Sequence, residues 1–262
     1  MLDGLVALEL IAVSFLGLVF GSFASALIYR IPRDIPWVFQ SSKETANKEA
    51  CRSACPHCGY VLRVRDLIPL FSWLLLRGKC RQCRAPISPM YPLAELCTLA
   101  GFVAVYYGFG LEWPYLALYL MVPTLVALLF IDMEHFILPD ELVLSAGILG
   151  ALHWGLLWMR SSIGTNEIIS QYIAGAAVFA LFAWLLGTIV SRLLKKDALG
   201  FGDVKFFAVA GLWLGVMNLA YFAVLSGFFG VLFGLIWQKC GKGEVFPFGP
   251  ALIMALFVLL FI

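Results

Sequence analysis

Charged side chains are scarce in this sequence. Asp, Glu, Lys and Arg make up only 13% of the 262 residues, whereas 62% of the residues are hydrophobic and the mean hydropathy is +0.95. Soluble domains are about a quarter charged, and a single soluble core could not cover this much apolar side chain. The composition therefore excludes an ordinary soluble protein and predicts that lipid covers much of the surface.

Basic residues are also missing where two classes of protein would need them. The net charge is only +2, and no patch combines aromatic with basic residues, which argues against a nucleic-acid partner. Residues 1–29 contain no Lys or Arg, whereas a cleavable signal peptide begins with a basic stretch. We therefore expect the first apolar segment to remain as a membrane span.

The sequence contains long apolar runs that are candidates for membrane spans. A helix needs about 20 apolar residues to cross the bilayer core, and the candidate segments are residues 5–29, 92–110, 114–131, 141–159, 168–191, 203–216, 218–238 and 247–262. The sixth and eighth are short, and a tight turn at Gly215 to Asn218 is expected to separate the sixth from the seventh. The predicted fold is an all-α polytopic membrane protein with about eight transmembrane helices.

The basic residues orient these spans. Cytoplasmic loops of membrane proteins collect Lys and Arg. If the N-terminus lies outside, 17 of the 18 Lys and Arg residues fall on the cytoplasmic side, and only Arg160 falls outside. The sequence therefore predicts that both termini are outside and that the segment 31–90 is cytoplasmic.

The segment 31–90 is polar and contains two CxxC pairs, Cys55-Pro56-His57-Cys58 and Cys80-Arg81-Gln82-Cys83. Two pairs about twenty residues apart have the ligand spacing of a zinc ribbon, in which four thiolates hold one structural Zn²⁺. Two disulfides or free thiols are the alternative, but a reducing cytoplasm disfavours disulfides. We expect a small zinc-ribbon-like insertion that the metal stabilises, with Cys55, Cys58, Cys80 and Cys83 as ligands and Cys51 as a bystander.

Two carboxylates stand at the ends of apolar spans, where ionisable side chains are costly and indicate function. Asp132 ends the third span, and Asp203 opens the sixth within Gly200-Phe201-Gly202-Asp203. The predicted topology places both at the cytoplasmic boundary. Two facing carboxylates can share a proton, so that one acts as a base toward water and the other as an acid toward a peptide carbonyl. We therefore predict a catalytic pair, beside which the two glycines give space and permit a positive φ.

Other acidic residues have simpler interpretations. Asp140 follows Pro139 and is expected to cap a helix, and Glu134, the nearest rival of Asp132, is expected to be solvated on a loop. Lys205 either lowers the pKa of the Asp203 carboxyl or extends to the membrane interface. Glu95 lies just inside the second span, where it could pair with a basic residue of the insertion.

Six segments, in this order, resemble the bifunctional type IV prepilin peptidases, and together they cover nearly the whole chain. They are Gly21-Ser22-Phe23 with Tyr29-Arg30-Ile31-Pro32; the cysteine segment with Ile68-Pro69 and Leu76-Arg77-Gly78-Lys79-Cys80; Tyr91-Pro92 through Glu95; Ile131-Asp132 with Leu138-Pro139-Asp140; Gly200-Phe201-Gly202-Asp203; and Pro247-Phe248-Gly249-Pro250. The chain departs from the family at Ala24-Ser25, where Leu-Asn is usual, and at Met90, where Arg is usual. Both departures fall in regions associated with methyl transfer.

The resemblance implies an aspartyl endopeptidase of the bacterial inner membrane. It would remove the basic leader of prepilins or pseudopilins after a glycine at the cytoplasmic face, and then methylate the new N-terminus with S-adenosylmethionine. By motif, the family's catalytic aspartates match Asp132 and Asp203, and its four cysteines match the two CxxC pairs, while no residue is indicated for S-adenosylmethionine. The implied organisation is a first transmembrane helix (1–30), a zinc-binding insertion (31–90) and a membrane-embedded protease core (91–262).

Two other functions fit parts of the sequence. A proton-coupled transporter would use paired intramembrane carboxylates as a relay, but the sequence has no internal repeat, and both carboxylates are predicted at one face rather than at the midplane. A membrane scaffold that docks partners through the zinc ribbon would explain the cysteines, but it would leave the segment Gly200 to Asp203 without a role.

Overall fold

The computed structural model describes residues 2–35, 39–41, 48–50, 53–160, 169–195, 199–241, 243 and 245–262. The chain divides into two compact units, residues 1–110 and 111–262. Both units are built from long apolar helices, so the predicted helical membrane class is confirmed. Cys51, predicted to be a bystander thiol, lies outside the described residues.

The first unit combines two long helices with a small insertion. Its elements are α1 (Leu2–Arg30), β1 (Phe39–Ser41), β2 (Lys48–Ala50), α2 (Phe71–Leu75) and α3 (Met90–Phe109). The two strands pair antiparallel, with Phe39 opposite Ala50. The sequence does not predict this hairpin, because strands of three residues are too short to show an alternating pattern.

Helices α1 and α3 approach each other along a face of small residues. A Cβ at Gly17 would lie 3.1 Å from the Cα of Leu99. A Cβ at Gly21, one turn further along α1, would lie 2.7 Å from the Cα of Glu95. Because these two positions carry no side chain, the two backbones come close, as small residues allow in membrane helix pairs.

The second unit carries both predicted catalytic aspartates. Its α-helices, within the described ranges, are α4 (Leu116–His135), α5 (Asp140–Arg160), α6 (Ala174–Leu194), α7 (Phe201–Leu214), α8 (Leu219–Lys239) and α9 (Gly249–Leu259). Helix α4 is deeply buried, since 14 of its 20 residues are enclosed by neighbouring helices. Helix α9 packs against α4, α7 and α8, so it connects the helices that carry Asp132 and Asp203.

Six helices in the described ranges are long and apolar enough to cross a membrane, namely α1, α3, α4, α5, α6 and α8. Helix α7 has 14 residues and α9 has 11, so they span only about 21 and 16 Å of a hydrocarbon core of about 30 Å. The chain is therefore a multi-pass membrane protein with six long apolar helices. The predicted number of about eight spans includes these two short helices and is approximate.

The predicted break between α7 and α8 is present. Gly215 ends α7 with φ +78°, and a short 3₁₀ turn, Val216–Asn218, leads into α8. Helix α3 belongs to the first unit, although the sequence groups residues 91–110 with the protease core. The division at residues 30 and 90 remains a prediction.

Candidate functional site

Asp132 lies in the last turn of α4 and is almost fully buried, with 4% of its surface exposed. Its Oδ2 accepts a hydrogen bond of 2.8 Å from the backbone N–H of Gly249, the first residue of α9. The N-terminus of a helix carries unpaired N–H groups and a partial positive charge, and both stabilise a carboxylate. Helix α9 therefore compensates for the burial of Asp132.

Gly249 fits this position because it has no side chain. A Cβ there would lie 2.5 Å from Oδ2 of Asp132 and 3.1 Å from Cδ2 of Leu138. Any larger residue would displace the carboxylate or its neighbour. The sequence pattern Pro247-Phe248-Gly249-Pro250 marks the segment as part of the family resemblance, but only the fold shows that its glycine holds Asp132.

Asp203 is the third residue of α7 and is partly exposed. Its Oδ2 accepts a hydrogen bond of 3.1 Å from the backbone N–H of Gly200, which precedes the helix. A Cβ at Gly200 would lie 3.2 Å from this oxygen, and a Cβ at Gly202 would lie 3.3 Å from Cβ of Leu138. Neither glycine has a positive φ, so the expected conformational role is wrong and the space they leave is what the site uses.

The structure brings Asp132 and Asp203 together. The two carboxylates are close enough to interact electrostatically. Leu138 is buried between their supports, because it lies against Gly249 on one side and Gly202 on the other. Each carboxylate accepts a backbone N–H from a glycine, and this leaves further oxygen lone pairs for a shared proton or a water molecule.

The neighbouring acidic residues are arranged differently. Asp140 is the first residue of α5, and its two oxygens accept hydrogen bonds of 2.6 and 2.8 Å from Nζ of Lys205. Lys205 therefore pairs with Asp140, which was not among its expected roles. Glu134 is 42% exposed, as a solvated residue should be, but it lies inside α4, because the helix continues to His135 and ends where Phe136 adopts a left-handed conformation.

The four cysteines of the two CxxC pairs form a cluster in the first unit. Their sulfur atoms all lie within 4.8 Å of one another, with Cys55 and Cys83 3.8 Å apart and Cys58 and Cys80 4.0 Å apart. Four sulfurs around a tetrahedral Zn²⁺ with bonds of about 2.3 Å would be separated by about 3.8 Å. The cluster could therefore hold a metal ion, and these four cysteines are free thiols rather than disulfides.

Both CxxC pairs adopt the same turn. In the first, Gly59 donates its N–H to the carbonyl of Cys55 at 2.9 Å and has φ +69°. In the second, Arg84 donates to the carbonyl of Cys80 at 3.1 Å and has φ +60°. His57 is exposed within the first turn and is not a member of the sulfur cluster. The two knuckles are thus built as their spacing predicts.

Two thiols of the cluster have pKa values shifted in opposite directions. The backbone N–H groups of Cys83 and Gln82 lower the pKa of Cys80 to about 6. The N–H of Tyr60 favours a thiolate at Cys58, but desolvation and the other three sulfurs together raise the pKa of that thiol to about 12. A bound metal ion would favour the thiolate form of Cys58.

Glu95 is a further buried carboxylate, in the first unit, with 8% of its surface exposed. Its Oε2 accepts a hydrogen bond of 2.7 Å from the backbone N–H of Leu70, and the side chain of Ser22 also hydrogen-bonds to it. Within the part of the chain that the structure describes, no ion pair involves Glu95, and its partners there are neutral groups; Lys43 and Arg52 of the insertion lie outside the described residues.

Comparison with known proteins gives matches along most of the chain. Residues 15–109 match the Bacterial Peptidase A24 N-terminal domain, and residues 118–235 match the Type IV leader peptidase family. The chain is 36% identical over 262 residues to a Prepilin leader peptidase/N-methyltransferase of Stutzerimonas stutzeri, with 92% of this chain and 86% of that protein covered. It is 34% identical over 250 residues to a Type 4 prepilin-like proteins leader peptide-processing enzyme of Escherichia coli O78:H11, with 90% and 87% covered. No solved structure matches the chain.

Proposed function

Because this chain belongs to the type IV leader peptidase family, we propose that it is a membrane aspartyl endopeptidase that removes the basic leader of type IV prepilins or pseudopilins. The observation that carries this proposal is the pairing of Asp132 and Asp203 at two helix ends, each held by a glycine N–H. The matching family and relatives are leader-processing enzymes, so the proton-coupled transporter alternative is not supported.

Asp132 and Asp203 would act as a unit that shares one proton. The charged carboxylate takes a proton from a water molecule as its oxygen attacks the scissile carbonyl carbon, and the protonated partner donates to the carbonyl oxygen. The tetrahedral intermediate then collapses as the amide nitrogen accepts a proton and leaves as an amine. The N–H of Gly249 and that of Gly200 keep the carboxylates oriented throughout, which saves reorganisation during the reaction.

The side of the membrane is part of the same proposal. The placement of 17 of 18 Lys and Arg residues supports an inner membrane protein with periplasmic termini and a cytoplasmic insertion. A single Cys introduced at the exposed residue Arg65 should react with a membrane-impermeant thiol reagent only after the cells are opened. Labelling of this position in intact cells would contradict the orientation.

Two bound groups complete the proposal. Cys55, Cys58, Cys80 and Cys83 would hold one Zn²⁺, which stabilises the insertion and takes no part in hydrolysis. S-adenosylmethionine would supply the methyl group for the new N-terminal amine, as the N-methyltransferase in the names of several relatives suggests.

The test is a mass spectrum of the substrate N-terminus. Purified protein in detergent is incubated with a peptide that carries a basic leader, a glycine and an apolar segment, with and without S-adenosylmethionine. Loss of the leader in both samples is expected, together with the mass of one methyl group only in the sample with the methyl donor. An intact peptide in the presence of folded protein would overturn the peptidase proposal.

A further inference from the structure

Three of the segments that resemble the prepilin peptidases take no part in the aspartate pair, and they meet at one carboxylate. Ser22 comes from the first segment, Leu70 follows Ile68-Pro69, and Glu95 ends the segment that begins at Tyr91. The side chain of Ser22 and the N–H of Leu70 both hydrogen-bond to the Glu95 carboxylate. All three residues lie inside the match to the A24 N-terminal domain.

Two unusual backbone features surround Glu95, a close approach of α1 and a positive φ at Leu70. Gly21 lets α1 come so close that a Cβ there would lie 2.7 Å from the Cα of Glu95. Leu70 has φ +58° and ψ −52°, a conformation that residues with a side chain rarely adopt and that persists only when the surrounding structure holds it. In this backbone conformation, the N–H of Leu70 donates a hydrogen bond of 2.7 Å to Glu95.

The charge of Glu95 is not needed for these contacts. Its described partners are a hydroxyl and a backbone amide, which are neutral, and no ion pair reaches it within the described part of the chain. A buried carboxylate without a cation is unfavourable, and a Gln side chain could accept the same hydrogen bonds. Within the described residues, therefore, the site has the charge for a positively charged ligand and holds no cation of its own.

We propose that Glu95 binds the new N-terminal ammonium of the cleaved substrate and accepts its proton before methylation, an inference that rests on the methyl-transfer part of the proposed function. An ammonium has no lone pair with which to attack a methyl group. Transfer of one proton from its nitrogen to Glu95 leaves a neutral amine and a carboxylic acid. The Ser22 hydroxyl and the Leu70 amide hold the carboxylate in position.

The remaining step balances with a sulfonium methyl donor. The amine lone pair forms a bond to the methyl carbon, the bond between that carbon and sulfur breaks, and its electron pair stays on sulfur. The product nitrogen carries the positive charge that the sulfonium loses, and Glu95 returns its proton to solvent. Glu95 thus serves a step that the aspartate pair does not perform.

The first experiment separates the two activities in Glu95→Gln. This variant keeps an acceptor for the N–H of Leu70, so cleavage should stay within about twofold of the unaltered protein, while methylation near pH 7 should fall by about a hundredfold or more. Its residual methylation should rise about tenfold per pH unit until the free amine titrates near pH 8, because only neutral amine can then react. The unaltered protein should not show this slope.

Two outcomes would overturn the inference. One is a Glu95→Gln variant that methylates at the unaltered rate with the unaltered pH profile. The other is loss of cleavage and methylation together, which would mean that Glu95 only stabilises the fold. Ser22→Ala, which keeps the charge and removes one hydrogen bond, is the matched control and should lose methylation about tenfold at most.

The second experiment needs no methyl donor. A mature substrate peptide with a free N-terminal ammonium should bind at least about tenfold more tightly than the same peptide with an acetylated N-terminus, and Glu95→Gln should abolish this difference. If the unaltered protein never methylates, the methyl-transfer part of the proposed function fails, yet this comparison still tests the site. Equal binding of the two peptides to the unaltered protein would overturn the inference.

Discussion

The cysteine cluster and the aspartate pair are held in place by different kinds of structure. Between residues 53 and 89 the buried residues are Cys55, Gly78 and Cys80, so the insertion has almost no apolar core. Asp132, in contrast, lies on α4, where 14 of 20 residues are buried. The first centre therefore depends on ligand chemistry and hydrogen bonds, and the second on close helix packing. Changes to one centre should leave the other largely unaffected.

The largest effect is expected from removal of either aspartate. Asp132→Asn and Asp203→Asn should each lower the rate of leader cleavage by about a thousandfold or more, because a shared-proton pair needs both members. The double variant should be no worse than either single one, since the two residues act as a unit. Zinc content should stay unchanged in all three variants, as measured by elemental analysis.

Asp140→Asn is the matched control for these variants. It removes the carboxylate of the first residue of α5, which is engaged with Lys205. Exposed ion pairs contribute less than about 1 kcal/mol, so cleavage should persist. Loss of cleavage in this variant, with retention in Asp132→Asn, would show that the wrong carboxylate has been chosen.

The second prediction concerns the cysteine cluster. Cys58→Ser or Cys80→Ser should abolish metal binding, which in small zinc domains contributes about 10 kcal/mol or more. Amide hydrogen exchange should then become fast across residues 53–89 and remain slow in α4. Cys97→Ser, outside the cluster, should keep about one zinc per chain. Protein purified without chelator that contains no zinc would refute the assignment.

Brief treatment with a chelator also tests whether the cysteine cluster and the aspartate pair are independent. Because the aspartate pair would use water without a metal, cleavage should continue while the insertion loses its zinc. Immediate loss of cleavage on chelation, before any change in hydrogen exchange of the insertion, would place a metal in the reaction itself.

The third prediction tests the packing that holds Asp132. In Gly249→Ala, the new Cβ would meet Oδ2 of Asp132 at 2.5 Å, so the carboxylate must move. Displacement of a catalytic group by about 1 Å can cost about a hundredfold in rate. Gly227→Ala is the control, since it adds a methyl group on α8 with no atom within 4 Å. Cleavage rates of the two variants, measured side by side, should differ strongly.

The smallest expected effect lies in the insertion. Desolvation alone would raise the pKa of Asp66, but the hydrogen bond and charge of Arg81, at 2.6 Å, and the N–H of Arg63 outweigh it and hold the pKa below its ordinary value of 3.8. A carboxyl with a lowered folded-state pKa stabilises the fold above its unfolded pKa, and this contribution disappears as the pH falls through the folded pKa.

Asp66→Asn should therefore reduce the stability of the insertion near pH 7 by about 1 kcal/mol, the net contribution of one hydrogen bond that Asn cannot keep. The difference from the unaltered protein should shrink as the pH falls below about 4, in thermal unfolding monitored within residues 53–89. Arg65→Gln, an exposed change in the same turn, should have no such effect. A difference that persists unchanged at low pH would show that the Asp66 charge contributes nothing.

Sequence patterns were sufficient to predict the features that depend on residues close together in the chain or on residue types that are rare in it. The two CxxC pairs specify their own turns, and Asp132 and Asp203 are conspicuous because few charges interrupt the apolar spans. These features depend on local spacing and on the high cost of a charge in lipid. The helical class and the sulfur cluster could therefore be predicted without a structure.

The supports of these residues could not be predicted in the same way. The bond from Gly249 to Asp132 joins residues 117 positions apart, and the pair of Lys205 with Asp140 joins residues 65 apart. Such contacts follow from helix packing, which single-sequence patterns do not encode. Glu134 was misplaced for a related reason: nothing in Met133-Glu134-His135 ends a helix, and the end comes only at the left-handed Phe136.

The position of the sulfur cluster along the chain also bears on biosynthesis. Its last ligand, Cys83, precedes α3, and every residue of the second unit follows it. Ribosomes add about 5–20 residues per second, so the rest of the chain emerges over roughly 10 to 40 seconds after Cys83. A metal ion bound by these four thiols would therefore close the insertion while the helices that carry Asp132 and Asp203 are still unmade, so the insertion between α1 and α3 would fold before the second unit is complete.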